Sequence, residues 1–274
     1  MNFKKCRRAF LKLLIICIII LGYCHFETRW TKLKSITIYN ADIPESFNGK
    51  KIIFITDIHH GPFLSIERVV KLVKQINELQ PDIILMGGDY VHRDPNYIKP
   101  VFDELRKLKS KYGIYAVLGN HDHWENGELT RKMMVRNGIN ICDNRSYWAK
   151  TGNDSIKLGG VGDLWEDIQL VDKTISDLKK SDFCILLSHN PDYLEKLNTD
   201  LIDLTLSGHT HGGQMTLFGL WAPILPSKYG QKYRHGLKIF REMKSYISSG
   251  IGTITPPLRF ACRPEIVIIN LKNK

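Results

Sequence analysis

The sequence predicts an α/β domain with a largely parallel sheet, on three observations. From Lys51 onward, short apolar runs alternate with segments of helical periodicity. Five runs end in small clusters of Asp, Asn and His: Asp57-Ile-His59, Gly88-Asp89, Gly119-Asn120-His121-Asp122, Ser188-His189-Asn190 and Gly208-His209-Thr210-His211. The chain of 274 residues is 43% hydrophobic and 24% charged, enough to bury a sizeable core and unlike a disordered or fibrous sequence. Strands separated by helices need crossover connections, which favour parallel pairing, and open sheets of that kind collect ligands beyond the carboxyl ends of their strands.

Residues 1–26 stand apart from this domain. Lys4, Lys5, Arg7, Arg8 and Lys12 precede an apolar run from Leu13 to Tyr23, the pattern of a membrane anchor or export signal. Cys6-Arg-Arg-Ala-Phe-Leu-Lys12 is similar to a twin-arginine export signal, with Cys where Ser or Thr is usual. The leader has no Ala-x-Ala cleavage site, and Tyr23 before Cys24 is a poor lipoprotein context, so a retained anchor is expected over release. The run is shorter than the roughly 20 residues of a comfortable span, and a helix packed on the domain is its alternative. Positive charge ahead of an anchor holds the N-terminus inside and places the rest of the chain outside. Residues 27–49 read as a tether, and 50–274 as one soluble domain.

Within that domain, Ile52 to Thr56 reads as a strand, Ser65 to Leu79 as a helix, and Asp82 to Met86 as the strand before Gly87-Gly88-Asp89. A second helix fits Pro100 to Lys109, with Pro in its first turn, followed by a strand from Ile114 to Leu118 that ends at Gly119-Asn120. The second half is richer in strands: Ser155 to Val161, Phe183 to Leu187, Leu201 to Ser207, Lys244 to Ser248 and Ile266 to Asn270, with one helix from Ile168 to Lys179.

The clustered residues have the chemistry of a metal centre. Asp57 and His59 lie two apart, so both can turn toward one ion once the chain leaves strict strand alternation. Asp89 is a carboxylate suited to bridging two cations, Asn120 supplies an amide oxygen, and His189, His209 and His211 supply imidazoles. This mixed oxygen and nitrogen set suits two divalent ions, manganese first with iron or zinc as alternatives, better than magnesium alone or calcium. Two cations about 4 Å apart activate a hydroxide and neutralise charge during in-line displacement at phosphorus, which is phosphoester hydrolysis. His121 is placed as the acid or transition-state donor, with Asp122 as the group that orients it and raises its pKa. One histidine alone is more often structural; the repetition behind successive strands is what makes the set a site. His123 shares the Asn120 loop and is expected to contact substrate, whereas His60 and His92 are expected in loop or surface packing.

At these positions the sequence resembles the calcineurin-like metallophosphoesterase superfamily over nearly all of Lys51 to Leu271. The resemblance implies a four-layer α/β/β/α sandwich and a dinuclear site. The first ion would take Asp57, His59, Asp89 and His211, and the second Asp89, Asn120, His189 and His209, with His121 and Asp122 as the catalytic pair. Met86-Gly-Gly-Asp-Tyr90, Gly160-Val-Gly-Asp-Leu-Trp165, Ser188-His-Asn-Pro-Asp192, Gly208-His-Thr-His-Gly-Gly-Gln214 and Cys262-Arg-Pro-Glu265 are similar to membrane-associated bacterial phosphodiesterases of the YaeI/YkuE type. Some relatives of that group are UDP-2,3-diacylglucosamine pyrophosphatases. The resemblance implies a bacterial cytoplasmic membrane, and the positive charge ahead of the leader places the catalytic domain on its outer side; peripheral association with the cytoplasmic face is the alternative, and a cytoplasmic UDP-lipid substrate would require it.

A formal charge of +11 favours acidic surfaces, phosphate-bearing ligands or anionic lipid, while no helix-turn-helix, finger or aromatic-basic platform points to nucleic acid. Cys142, Cys184 and Cys262 are widely spaced and read as buried thiols. Met215 to Leu225 holds many large apolar groups and forms either an acyl-chain groove or membrane-dipping loop, or an inward-facing hairpin. Arg259 and Arg263, in a Gly/Pro-rich segment, are candidates for pairing with a substrate phosphate. The expected function is hydrolysis of a phosphodiester or pyrophosphate bond in a phosphorylated lipid. The alternatives are a broad phosphomonoesterase, a nuclease, or a non-catalytic phospholipid-binding protein stabilised by metal.

Overall fold

The computed structural model describes residues 3–274; Met1, Asn2 and the side chain of Lys5, all within the expected anchor, lie outside the described residues. In chain order the elements are α1 (Phe3–Glu27), β1 (Lys32–Tyr39), β2 (Lys51–Ile55), α2 (Ile66–Glu78), β3 (Ile83–Met86), α3 (Ile98–Leu105), β4 (Ile114–Ala116), α4 (Asn120–Arg136) and β5 (Asn140–Ile141). There follow β6 (Ser146–Thr151), β7 (Asp154–Gly160), α5 (Val171–Ile175), β8 (Cys184–Leu187), β9 (Leu204–Ser207), β10 (Gly236–Phe240), β11 (Met243–Ile247) and β12 (Glu265–Lys272).

The strands make two mixed sheets of six, in the orders β1-β12-β2-β3-β4-β5 and β10-β11-β9-β8-β7-β6. The centre of each is parallel: β2 to β3 to β4 to β5 in the first, β11 to β9 to β8 to β7 in the second. The period of two along each strand sorts side chains between layers. Ile52, Phe54, Ile83 and Leu85 point between the sheets and meet Ile185, Leu187, Leu204 and Leu206 there. Ile53, Ile55, Ile84 and Met86 point the other way, onto α2, α3 and α4. Cys184 and Leu186 face a third cluster under Tyr193, Leu194 and the residues around α5. The result is helices, sheet, sheet and helical segments stacked as α/β/β/α.

Helix α2 shows why burial follows from the sequence. Val69, Leu72, Val73 and Ile76 recur at helical spacing and form one buried stripe, each contributing roughly 2 kcal/mol relative to exposure. A charge at Ile76, which is fully buried, would break that stripe.

Three expectations change. The segment expected to be a tether carries β1, whose eight residues pair in parallel with β12 from Lys32 opposite Glu265 to Tyr39 opposite Lys272. The helix expected over Ile168 to Lys179 is restricted to Val171–Ile175. Its first residues are held as a loop by Asn144, whose side chain donates to Ile168 O and accepts from Leu170 N. The helix expected from Pro100 begins two residues earlier, at Ile98; Pro100 still falls in the first turn, where an N–H is dispensable.

Helix α1 projects from this body. Its segment Cys6–Glu27 is 22 residues with a mean hydropathy of 2.3, apolar and long enough to cross a bilayer, and most of it is exposed. At about 1.5 Å per residue that is about 33 Å, against a hydrocarbon core of about 30 Å. The helix therefore suggests membrane anchoring. Its last turn is seated in the domain: Glu27 is fully buried and its carboxylate accepts from Ala261 N and Cys262 N.

Candidate metal centre

The ends of β2, β3, β8 and β9 converge on one edge, where the chain leaves extended geometry. Asp57, His59, Asp89, His209 and His211 all have positive φ, between 49° and 65°, a region costly for residues with a Cβ. Such strain collects at functional sites, and here it turns consecutive ligand-type side chains to one side. Neighbouring glycines make room. A Cβ on Gly208 would collide with Asp57 Oδ2, and one on Gly119 would collide with Asp89 and His189.

Two compact groups result among the expected ligands, and His59, His92 and His121 make a third beside them. Asp57, His59 and His211 form one, and Asp89, His189 and His209 the other, with the potential ligand atoms of each within 4.8 Å of one another. In the first, His211 Nε2 lies 3.4 Å from Asp57 Oδ1 and 3.0 Å from His59 Nε2. In the second, His189 Nε2 lies 3.2 Å from Asp89 Oδ2. Asp89 Oδ2 is also 3.4 Å from His59 Nε2, so this carboxylate sits between the groups as a bridging ligand would. Asn120 Oδ1 joins the second group, 3.0 Å from His209 Nδ1. All seven candidate ligands expected from the sequence are brought together.

The surrounding contacts fix their orientation. His189 Nδ1 is 2.7 Å from Gly87 O, which makes it a protonated nitrogen and turns Nε2 toward Asp89. Asp57 accepts from Thr56 Oγ1 and from His209 N. Asp89 Oδ1 accepts from His121 N. The buried Nε2 of His189, turned toward Asp89, has no hydrogen-bond partner among the described residues, a state that proteins avoid unless a ligand completes it. Two carboxylates, an amide oxygen and four imidazoles, all buried, fit a pair of borderline divalent cations.

The electrostatics agree. Burial would raise Asp57 and Asp89, yet the imidazoles facing them, His211 for Asp57 and His189 for Asp89, hold both below the usual carboxylate range. Burial lowers His209 to about 3, with His189 contributing, and holds His211 well below the usual imidazole range despite Asp57. His189 is raised: Asp89, Asp57 and Asp163 outweigh its burial. The carboxylates are thus ionised and His209 and His211 neutral, the protonation a metal requires of its ligands.

Several expected roles move. Asp122 does not touch His121, because adjacent residues of a helix point about 100° apart. Its carboxylate is buried and accepts from Asp89 N, Tyr90 N and Gly119 N at 2.7, 2.8 and 2.9 Å, capping α4 and fixing the Asp89 turn. Burial and the Asp89 carboxylate raise its pKa. The partner of His121 is His92, with the two Nδ1 atoms 3.2 Å apart; burial lowers His121 to about 4 and His92 to about 3. His92 was expected in loop packing, and its isolated place in the sequence carries no signal of this contact.

His123 was expected at the substrate, but it is absent from the residues lining the cleft, which include His92, His121, Trp124 and Trp165. It instead lies near Asp143, whose carboxyl is raised by burial against the opposing effects of Leu118 N, Arg131 and His123. Arg259 is fully buried and donates to the carbonyls of Cys262, Ser249 and Gly252, so it braces the chain behind Asp57 and is closed to substrate. Arg263 lies beside α1, its guanidinium 3.8 Å from the Trp30 ring centroid and its Nε donating to Trp30 O. Trp124, not singled out in the sequence, and Trp165, named there only as the end of a motif, flank the cleft: Trp124 packs edge-on against His121, and Trp165 against His209.

Fold and site together define a metallohydrolase of the two-sheet α/β type. The sequence profile of the calcineurin-like phosphoesterases matches residues 50–213, and the chain belongs to that family. It is a hydrolase. Over 257 residues it is 32% identical to YkuE, a metallophosphoesterase of Bacillus subtilis (strain 168), covering 92% of this chain and 90% of that protein. It is 32% identical over 255 residues to the phosphodiesterase YaeI of Escherichia coli (strain K12), covering 91% and 92%. A transmembrane protein with a metallophosphoesterase domain from Danio rerio is 28% identical over 254 residues, 88% of this chain and 57% of that protein. The NAD nucleotidase of Haemophilus influenzae shares the fold, with a TM-score of 0.51 and 14% identity over 74% of this chain and 45% of that one.

Proposed function

We propose that the protein hydrolyses a phosphodiester or pyrophosphate bond in a membrane lipid or lipid-linked substrate, using two divalent cations, manganese first among them. The observation that carries this reading is the pair of buried ligand groups joined at Asp89, with His121 at their open edge. Asp57, His59, Asp89 and His211 would hold one ion, and Asp89, Asn120, His189 and His209 the other. When bound, such a pair supplies positive charge for the phosphoryl group and lowers the pKa of water.

The chain's own residues do the rest. The His121 backbone N–H is tied to Asp89 Oδ1, so its ring is carried at a fixed position relative to the bridging carboxylate. The His92 ring limits its rotation. At neutral pH the His121 ring is neutral and has an N–H to offer a phosphoryl or leaving-group oxygen; the negative charge of a bound phosphate raises its proton affinity. Trp124 and Trp165 narrow access to the cleft and lower its dielectric, strengthening that bond. Asp122 acts by positioning the Asp89 and Gly119 turns.

Two features support a lipid substrate on the outer side of a bacterial cytoplasmic membrane. Helix α1 is seated in the catalytic body, and Lys4, Arg7, Arg8 and Lys12 precede its apolar run, the charge distribution that retains an N-terminus inside. The test is product release by manganese-loaded protein from UDP-2,3-diacylglucosamine and its deacylated counterpart, with bis-p-nitrophenyl phosphate as a chemistry control. Cleavage that requires acyl chains supports a lipid pyrophosphatase and moves the domain to the cytoplasmic face. Cleavage of the diester without either UDP compound favours an external phosphodiester lipid. Failure on all three refutes the hydrolytic reading of this substrate class.

A further inference from the structure

The segment after the last metal ligand places a cluster of apolar side chains in the open. Phe218, Leu220 and Ile224 are 79%, 81% and 80% exposed, and Leu217 and Trp221 are about half so. A mobile surface loop would not hold such a cluster together, but this one is built. Leu217 N donates to Trp221 O at 2.7 Å, closing the turn over Phe218 and Gly219, both at positive φ. Gly219 N donates to Thr216 Oγ1, Arg234 donates to Gly219 O, and the Gln231 amide bonds both the N–H and the carbonyl of the buried Ala222. Apolar clusters held rigidly toward solvent mark an interaction surface.

The structure says what covers it. Tyr23, near the domain end of α1, packs edge-on against Phe260, with ring centroids 5.8 Å apart. Phe260 N donates to Gln214 O, and Phe260 O accepts from Thr216 N, at the foot of the apolar turn. Tyr23 and Gly219 line one small cavity. Exposed Tyr23, Phe26 and Trp30, with Arg263 stacked on Trp30, form the aromatic and cationic girdle typical of a helix leaving a bilayer. The apolar turn therefore stands beside the point where α1 leaves the membrane.

We infer that residues 217–224 form a second, monotopic membrane contact, entering the interfacial layer of the leaflet from which α1 emerges. The occupant is the lipid surface, since an amphipathic element beside an anchor gains by burying its apolar side in the headgroup and acyl boundary. The inference rests on α1 as a membrane anchor and is independent of the substrate. It also gives the cleft a direction: Pro226, just beyond the turn, lines the metal centre with His209 and Trp165.

The experiment reads the depth of Trp221 in the full chain, reconstituted in phosphatidylcholine and phosphatidylglycerol vesicles. The Trp221 signal is the emission lost in Trp221→Phe, checked for unchanged cleavage of a soluble diester. Lipids brominated near the carbonyl end of their acyl chains should quench this signal at least twofold more than unbrominated lipid, while aqueous iodide leaves it almost unchanged. Moving the reporter to the tip, in Trp221→Phe with Phe218→Trp, should shift the strongest quenching toward lipids brominated deeper in the chain. Strong iodide quenching with no bromolipid effect overturns the inference. Shielding from both quenchers also overturns it, because a second copy or another protein then covers the turn. Vesicle flotation separates the two premises: a chain that floats with an unquenched Trp221 keeps its anchor and loses this contact, and a chain that does not float loses both.

Discussion

Asp122→Asn separates positioning from direct catalysis at this centre. The native carboxylate accepts three backbone N–H groups, from Asp89, Tyr90 and Gly119, and is fully buried. An asparagine can keep its oxygen toward Tyr90, leaving its amide facing the N–H groups of Asp89 and Gly119, which both shared Oδ2. A buried donor left without an acceptor costs about 1–3 kcal/mol, so the two together cost about 2–6 kcal/mol. That is a large part of the 5–15 kcal/mol that ordinarily holds a domain together. The same turns carry Asp89 and Asn120, so affinity for the bridging site should fall with stability. Urea unfolding followed by tryptophan fluorescence measures the first effect, and calorimetric titration with manganese the second. At saturating metal, the pH dependence of the residual activity should keep its shape. A variant of native stability and metal affinity whose pH profile moves would refute this account and return Asp122 to the role of orienting His121 and raising its pKa.

The other expectations are simpler. His121→Gln should retain both ions by metal analysis and lose turnover by roughly 10²- to 10⁴-fold; wild-type turnover would remove His121 from the chemistry. Asp89→Asn should bind fewer than two ions per chain at metal concentrations that saturate the wild type, since this carboxylate lies between both groups; full occupancy would argue against a bridge. Glu265 is buried among His235, Tyr246, Ser249 N and Lys32, and His235 leads the partners that lower its pKa, against its burial, from 4.5 to about 2. Its folded-state pKa is depressed, so its contribution of about 3 kcal/mol is present above pH 4.5 and is lost as the pH falls toward 2. Unfolding measured across that window in the metal-free protein should show a slope that Glu265→Gln reduces, the remainder coming from carboxylates such as Asp57 and Asp89; equal slopes would place the acid sensitivity elsewhere. Removing residues 1–22 should release the protein from membranes while keeping Cys24 and Glu27 in their seats, and should spare cleavage of a small soluble diester. Loss of that cleavage would show that the projecting part of α1 belongs to the fold.

The legible features were those with a strong periodic or clustered signal. Strands β2, β3 and β8 are short unbroken apolar runs, and each delivers its ligand at its end, so the seven candidate ligands could be named from spacing alone. Strand β1 was illegible because it is an edge strand: of its eight residues only Ile38 is buried while Leu33 and Tyr39 are exposed, so it shows no clean alternation, and pairing with β12 is a contact across 233 positions of sequence. Helix α4 was hidden by its polar first turn and by the break at Asn126. At the site, a reading by adjacency paired Asp122 with His121 and gave His123 a substrate contact, whereas helical geometry turns neighbouring side chains apart. The His92 contact spans 29 residues, and the burial of Arg259 depends on three carbonyls fixed only by the finished fold. Neither leaves a local mark.

The seat of Glu27 ties the last turn of α1 to the catalytic body. A helix of about 33 Å in a hydrocarbon slab of about 30 Å relieves its excess length by leaning roughly 25° from the bilayer normal. With a flexible hinge that lean would stop at the membrane. Here the two N–H bonds from residues 261 and 262 pass it on, so the catalytic body leans by the same angle. With α1 inserted in a bilayer, the bilayer's thickness would become a mechanical variable of the enzyme: a thicker membrane would stand the body upright, a thinner one would tip it over, and the cleft would change its attitude to the surface with no change in its own structure.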